Sequence, residues 1–327
     1  MKTRAMIVRR YGGPEVLEPT EIEVPPPKGS EVLLRQSAIG VNFVDVYYRS
    51  GQFGGHDAPL LPAIVGVQGA GVVEALGPQV QDLKVGDLVA YAGQPGAYVE
   101  RRVLPADRLL KLPAGISAEL AAACLVRGLT AEYLLRRLFK LQPGDVILVH
   151  AAAGGVGRIL CQWAKALGAT VIGTVGTDEK ARIAAAHGCD HPIVYSREDF
   201  VARVAQITDG RGVCVVYDGV GRDTFMRSLD CLRPKGMAIN FGTASGQVEP
   251  FSLQRLLAKS ITVARPTLVT WIADRAEYVA AASAFFNTIK NGTVRVAVGT
   301  RYPLQDAARA HADLEGRRAT ALPVLTL

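Results

Sequence analysis

Hydrophobic and polar positions follow two rhythms along the chain. Over roughly the first 120 residues the runs are short and alternate, as in half-buried strands. They fall at 1–8, 31–36, 71–77 and 87–91, with glycine and proline between them and Pro25-Pro26-Pro27 as a rigid loop ahead of the second. One helical piece, 42–51, lies among them, and the spacing predicts a small, partly open β-barrel. From Glu119 the rhythm changes. Residues 120–124 and 128–135 read as helix. Apolar, β-branched runs at 146–150, 170–175, 192–195, 213–218 and 236–241 then alternate with helical stretches near 156–167, 179–187, 198–208 and 222–231. Continuous apolar runs mark strands buried on both faces, and this alternation predicts an α/β fold with a doubly wound parallel sheet. Residues 261–265 extend the pattern by a strand, 273–290 form a long helix that stops at Asn291-Gly292, and 297–298 and 323–327 return to strand. The expected organisation is a β-rich domain of residues 1–124 and 267–327, with the parallel sheet of residues 125–266 inserted in it.

The stretch from Val146 to Gly157 organises the second half. A buried strand runs into His150-Ala151-Ala152-Ala153-Gly154-Gly155-Val156-Gly157, and an amphipathic helix follows. Ala152-x-Gly154-x-x-Gly157 is the dinucleotide fingerprint with alanine for the first glycine. A missing side chain at Gly154 lets backbone N–H groups approach a pyrophosphate, and one at Gly157 lets the helix pack closely on the strand. The helix N-terminus then faces the anion with its partial positive charge.

Composition narrows the class. The 327 residues are 49% hydrophobic and 20% charged, which suits a globular protein of two domains. No apolar run is long enough to span a bilayer and no signal peptide opens the chain, so a cytoplasmic location is expected. The five cysteines are scattered, odd in number and without a C-x-x-C, a pattern of reduced thiols and not of a disulfide framework or structural zinc site. A net charge of +7 suits attraction of an anionic cofactor, while the dispersed arginines speak against a dedicated nucleic-acid surface.

Several local strings, taken together, are specific. They are Gly12-Gly13-Pro14-Glu15-Val16-Leu17, Gly40-Val41-Asn42-Phe43-Val44-Asp45, Gly128-Leu129-Thr130, the turn at 150–157, Gly173-Thr174-Val175-Gly176-Thr177, Tyr217-Asp218-Gly219-Val220-Gly221 and Tyr302-Pro303-Leu304. With this layout the chain resembles, over nearly its whole length, the zinc-free quinone oxidoreductases of the medium-chain dehydrogenase/reductase superfamily, the ζ-crystallin-like NADPH:quinone reductases. The resemblance implies a Rossmann sheet inserted in a GroES-like, partly open β-barrel catalytic domain. It implies a homodimer with a small-molecule quinone as substrate and no membrane partner. Zinc-dependent relatives carry a ligand cysteine near Gly40-Val41-Asn42, Gly-His-Glu at Gly66-Val67-Gln68 and a four-cysteine lobe at Tyr91-Ala92-Gly93-Gln94-Pro95-Gly96. None of those ligands is present, and tetrahedral N/S ligation cannot be assembled from what remains. Without a Lewis acid, hydride transfer to an electron-poor acceptor such as a quinone or enone is favoured over alcohol oxidation.

Cofactor choice turns on the tip of the second strand of the parallel sheet. No carboxylate stands there to bind a ribose 2′-hydroxyl; Asp178 and Glu179 come later and Lys180 follows. Resemblance places Gly176, Thr177, Lys180 and Tyr195 around a 2′-phosphate, with Arg318 as a further contact, which makes NADPH the expected cofactor. Lys180 also reads as a solvated first-turn residue and Tyr195 as a strand-end aromatic. The tail departs from the family pattern at Ala321-Leu322-Pro323. Ala153, Gly154, Gly155, Val156 and Gly157 would hold the pyrophosphate, and Phe241 and Gly242 would lie under the carboxamide.

The reaction site is expected in a cleft between the domains. Resemblance places Asn42 and Thr130 at the nicotinamide, although Asn42 also reads as a helix cap. Asp45 is either a substrate contact or the organiser of Arg127 or Arg49. Tyr47 and Phe53 offer flat surface to a quinone ring or are simply core. Arg127 can stabilise charge growing on the substrate oxygen. His150 reads as structural. A water or Tyr47 would supply the proton. On the same scaffold the alternative is an NADPH-dependent enone, alkenal or enoyl-thioester reductase. In another class, the alternative is an RNA-binding or accumulated structural protein. A dimer would form by pairing of strands at 236–241 and 261–265 across a two-fold axis, unless the helix at 273–290 covers the last strand.

Overall fold

The computed structural model describes residues 1–52, 59–318 and 321–327. The chain divides into two compact units, one of Met1–Val126 with Val296–Leu327 and one of Arg127–Arg295. It begins with β1 (Lys2–Val8), β2 (Leu17–Glu23), β3 (Glu31–Gly40), α1 (Phe43–Ser50), β4 (Ala63–Ile64), β5 (Gln68–Leu76), β6 (Leu88–Ala92), β7 (Arg101–Pro105) and β8 (Leu110–Lys111). Helix α2 (Ala118–Glu132) then carries the chain across the unit boundary and runs on into a π-helical turn, Tyr133–Leu138. The second unit comprises β9 (Val146–Val149), α3 (Gly155–Ala166), β10 (Thr170–Val175), α4 (Asp178–Ala186), β11 (His191–Val194), α5 (Phe200–Ile207), β12 (Val213–Asp218), α6 (Phe225–Cys231), β13 (Leu232–Asn240), α7 (Gln254–Leu257), β14 (Thr262–Ala264), α8 (Leu268–Trp271) and α9 (Arg275–Lys290). The chain closes the first unit with β15 (Val298–Pro303), α10 (Ala307–Glu315) and β16 (Leu322–Thr326).

Among the described residues, the first unit has a three-stranded sheet, β2-β1-β4, and a larger one in the order β15-β16-β3-β5-β6-β8, with β7 also on β3. Strand β3 is the hub. It pairs antiparallel with β5, with β7 and, through Gly40↔Val324 and Ile39↔Leu325, with the last strand of the chain. Val32, Leu34 and, beyond a shift in register, Ile39 enter a core with Val89, Tyr91, Tyr98, Leu104 and Leu325. Helix α1 follows β3 after two residues. Asn42 stands at its start in an extended conformation and Gly51 ends it at φ +72°, where a side chain would be strained.

The second unit is the doubly wound sheet that the alternation predicts. Its strands run β11-β10-β9-β12-β13-β14, all parallel, the order that reverses beside the first strand. Its central strands are almost wholly buried, which is why they read as unbroken apolar runs. One boundary differs from expectation. The pattern alone returns the chain to the first unit at residue 267; the structure does so at Val296. Helices α8 and α9 belong to the second unit because Trp271 stacks on Tyr133 with centroids 5.3 Å apart, beneath the Arg137 guanidinium. Phe285 of α9 also fills the space left by the absent side chain of Gly128 and lies against Trp163. Gln162 then pairs with the backbone of Arg295, at 2.9 and 3.2 Å. Those partners are far apart in sequence and leave no local period.

Candidate active site

The nucleotide turn is built by steric exclusion. Strand β9 ends at Val149, and Ala151 then takes φ +51°, a left-handed conformation unusual for a residue with a Cβ. Its carbonyl oxygen folds over the turn and accepts from Gly154 N–H at 2.8 Å. A Cβ on Gly157 would collide with that oxygen and lie 2.8 Å from Ala152 Cα, so only glycine lets α3 start so close to β9. A Cβ on Gly154, the N-cap of α3, would meet the same oxygen at 3.0 Å. First-turn N–H groups of a helix lack intrahelical partners, and no acidic side chain occupies this turn. Ala153, Gly154, Gly155, Val156 and Gly157 could therefore hold an anion, and the turn they form fits a dinucleotide pyrophosphate. Arg158, which the fingerprint does not include, places Nε 2.7 Å from Ala153 O and adds a cation to this turn.

The tip of β10 lies beside the end of β11. Tyr195 N–H donates to Val175 O at 3.1 Å, and a Cβ on Gly176 would come within 3.0 Å of the Tyr195 hydroxyl. Thr177 caps α4 by accepting from Lys180 N–H at 3.2 Å. The structure thus brings Gly176, Thr177, Lys180 and Tyr195 together. Asp178, the nearest carboxylate on this turn, is engaged by Arg197 through two contacts of 2.6 Å. That exposed ion pair engages one of the two carboxylates, Asp178 and Glu179, in the first turn of α4. Arg318 lies in the other unit, where Asp313 holds its Nε at 2.8 Å.

The loop after β13 rests on the loop after β12. Phe241 N–H donates to Asp218 O at 2.8 Å, and the Phe241 ring sits where Gly219 has no side chain. A Cβ on Gly242 would meet the Gly219 oxygen at 2.8 Å. Buried Asp218 accepts from Val220 N–H, Gly221 N–H and the Thr224 hydroxyl at 2.7, 2.9 and 2.7 Å, which fixes the loop. Arg265 holds Asn240 O at 3.1 Å. Arg265 does not stand out by spacing, because its partner is a backbone group of a distant loop, whereas Asp218 closes its own loop by bonding two and three residues ahead. Also in this unit, Arg127 and Thr130 lie buried nearly one turn apart on α2. His150 is structural, as expected. Its Nδ1 and Nε2 are each 2.8 Å from the Thr174 and Ser228 hydroxyls, and burial lowers its pKa.

In the first unit, Asn42 and Asp45 share the start of α1. Asn42 is the N-cap and forms a capping box with Asp45, whose carboxylate accepts from Asn42 N–H at 2.7 Å. Asn42 Nδ2 is buried with no hydrogen-bond partner among the described residues. An orphaned donor of this kind fits a site that takes a polar group from outside the chain. Tyr47 is buried on the same helix, its ring 6.3 Å from that of Phe43. Phe53 lies outside the described residues. Gln68 is fully buried and spoken for: its Nε2 donates to Ala122 O and its Oε1 accepts from Val126 N–H at 2.8 Å.

The chain has extensive likeness to known proteins. Residues 28–114 match the family model of an alcohol dehydrogenase GroES-like domain, and residues 155–287 match that of a zinc-binding dehydrogenase. A quinone oxidoreductase of Pseudomonas aeruginosa is 49% identical over 96% of this chain and 97% of its own. A 2-haloacrylate reductase of Burkholderia is 42% identical over 98% of both chains. The structure of Escherichia coli quinone oxidoreductase complexed with NADPH superposes with a TM-score of 0.95 at 44% identity, covering 99% of this chain and 100% of the other.

Proposed function

This chain belongs to the quinone oxidoreductases of the medium-chain dehydrogenase/reductase superfamily, and on that premise we propose that it reduces quinones with NADPH and without zinc. The observation that carries the reading is the Ala151–Gly157 turn, shaped for a dinucleotide, in a chain alike over its full length to a quinone oxidoreductase and to one complexed with NADPH. When bound, NADPH supplies the hydride. The turn and α3 hold the pyrophosphate. Lys180, Tyr195, Gly176 and Thr177 take the 2′-phosphate, with Arg318 as a further contact. Phe241 and Gly242 support the carboxamide. Asn42 and Thr130 orient the nicotinamide, Asp45 holds Asn42, and Tyr47 offers surface to the quinone ring. Arg127 stabilises the oxyanion that grows as the quinone is reduced.

The zinc-independent reading rests on donor chemistry. The Gln68 amide is committed to two backbone groups of α2, and Asn42 stands where a thiolate would be needed. Five free, buried cysteines suit a reducing compartment and a cytoplasmic location. Strand β14 is the outer strand of its sheet among the described residues, and Leu253 and Leu257 beside it are 76% and 66% exposed. Helix α9 spends Phe285 on Gly128 and Trp163. A two-fold pairing of β14 edges would bury those leucines, so the protein is expected to sediment as a homodimer at micromolar concentration; a monomer there refutes the pairing.

The deciding assay is NADPH against NADH oxidation with 1,4-benzoquinone, 9,10-phenanthrenequinone and an alkenal, all with EDTA present. Rapid, EDTA-resistant, NADPH-preferring quinone turnover is expected. The likeness to 2-haloacrylate reductase favours a second reading, reduction of an activated carbon–carbon double bond. Turnover of the alkenal alone would establish that reading instead.

A further inference from the structure

The first unit contains a buried polar chain that the proposed chemistry does not otherwise use. Asp45 is 0% exposed, and its Oδ2 accepts from the Tyr98 hydroxyl at 3.2 Å as well as from Asn42 N–H. The Tyr98 oxygen lies 2.8 Å from His311 Nε2, and His311 Nδ1 lies 3.3 Å from Arg49 Nη1. Arg49, 1% exposed, forms two 2.8 Å contacts with Glu315 and donates from Nε to Gly12 O at 3.1 Å. Four separate parts of the sequence thus meet: the segment after β1, α1, the segment before β7, and α10.

Donor chemistry fixes every proton in this chain. A guanidinium only donates, so His311 Nδ1 accepts and carries no proton. The ring proton therefore sits on Nε2 and is donated to Tyr98. The phenolic proton goes on to Asp45. A second proton on His311 would face the Arg49 charge, and burial together with that charge holds its pKa down to about 3. All three bonds point from Arg49 toward Asp45 and favour its anion. The chain is not a proton wire. Arg49 cannot reprotonate Nδ1, so passing the Nε2 proton forward would leave an imidazolate.

We propose that Tyr98 and His311 are positioning residues: backed by Arg49, they lock Asp45 as an ionised cap on α1 and so hold the buried Asn42 amide as an N–H donor for the reaction. This rests on the reading of Asn42 and Asp45 as site residues. The groups facing Asp45 include Asn42 and Tyr98, with His311, Arg49 and Glu315 behind Tyr98; the Tyr91 phenol also feels its charge.

The test is steady-state quinone reduction by the full-length enzyme and its variants Tyr98→Phe, His311→Leu, His311→Gln, Asp45→Asn and the double variant Y98F/D45N, with melting temperatures alongside. Tyr98→Phe is expected to lower kcat about tenfold, the equivalent of one charge-assisted hydrogen bond, with the KM for NADPH unchanged. It should also introduce an acid limb in the pH profile, because a carboxylate that loses a donor titrates higher. His311→Gln, which keeps a donor, should recover activity that His311→Leu loses. Adding Y98F to D45N should change nothing further. Variants that melt earlier but keep wild-type kcat and pH profile would overturn the proposal, as would additive losses in the double variant. A fully active D45N would remove the reading of Asp45 itself, whereas an impaired D45N beside a normal Y98F would overturn the chain alone. If Tyr98→Phe does not fold, the two His311 variants carry the comparison.

Discussion

Two glycines in one turn do different work. Gly157 is enforced by the fold, since a Cβ there would strike Ala151 O. A Cβ on Gly154 would meet the same atom at 3.0 Å, a tight contact relieved by a shift of a few tenths of an ångström, and this residue stands at the helix start where an anion would approach. Gly157→Ala is therefore expected to destabilise the protein by roughly 1–3 kcal/mol in urea unfolding, the usual cost of overpacking. Gly154→Ala should unfold near the wild-type midpoint but lose most of the melting-temperature rise that NADPH produces. The reverse ranking would show that the turn is not built as described. Both glycines were visible in the sequence because the fingerprint is local. Arg158 was not, although it is the next residue, because the fingerprint ends at Gly157 and only the fold turns the Arg158 side chain back to Ala153 O.

Helix α10 is the element that the sequence conceals. Its inward positions include Ala307 and Ala310, whose small apolar side chains give a weak period, and His311, which reads as polar yet is fully buried. Strands β2 and β7 are hidden for a related reason: charged residues fall on both faces and break the apolar alternation, with Glu18, Glu21 and Glu23 in β2 and the adjacent pair Arg101 and Arg102 opening β7. The strands of the second unit were legible because burial on both faces leaves continuous apolar runs. The α1–α10 connection depends on Arg49, whose charge is buried while its partner Glu315 is about a third exposed. Glu315→Ala leaves that guanidinium short of acceptors and should cost roughly 1–3 kcal/mol. Amide exchange should quicken in α1 and α10 together and remain unchanged in α3; an effect confined to α10 would mean that the pair does not join the two helices.

At the scale of the whole molecule, two buried neutral histidines link stability to pH. His311 has a folded pKa lowered to about 3 by burial and Arg49, and burial also lowers that of His150. An unfolded histidine titrates near 6.5, so below that pH the unfolded chain binds protons that the folded chain refuses. These groups thus contribute stability that is fully present above about pH 6.5 and is lost as pH falls, for His311 until about pH 3. The slope contributed by each approaches about 1.4 kcal/mol per pH unit. Urea unfolding between pH 7 and 4.5 should show the decline, and His311→Gln should flatten it by one such increment. An unchanged slope would mean that His311 takes up a proton in the folded protein.

The pairing of β16 with β3 has a consequence for synthesis. Residues Ala38, Ile39 and Gly40 wait for Thr326, Leu325 and Val324, which are translated after the whole of the second unit. The second unit, Arg127–Arg295, has all of its strands in hand well before that. During translation the inserted unit can therefore be complete, and competent for nucleotide, while the unit that surrounds it in sequence still exposes the edge of its hub strand. A ribosome stalled just short of residue 322 would carry a protease-resistant second unit beside a first unit open to cleavage, with release of β16 completing the pairing to β3.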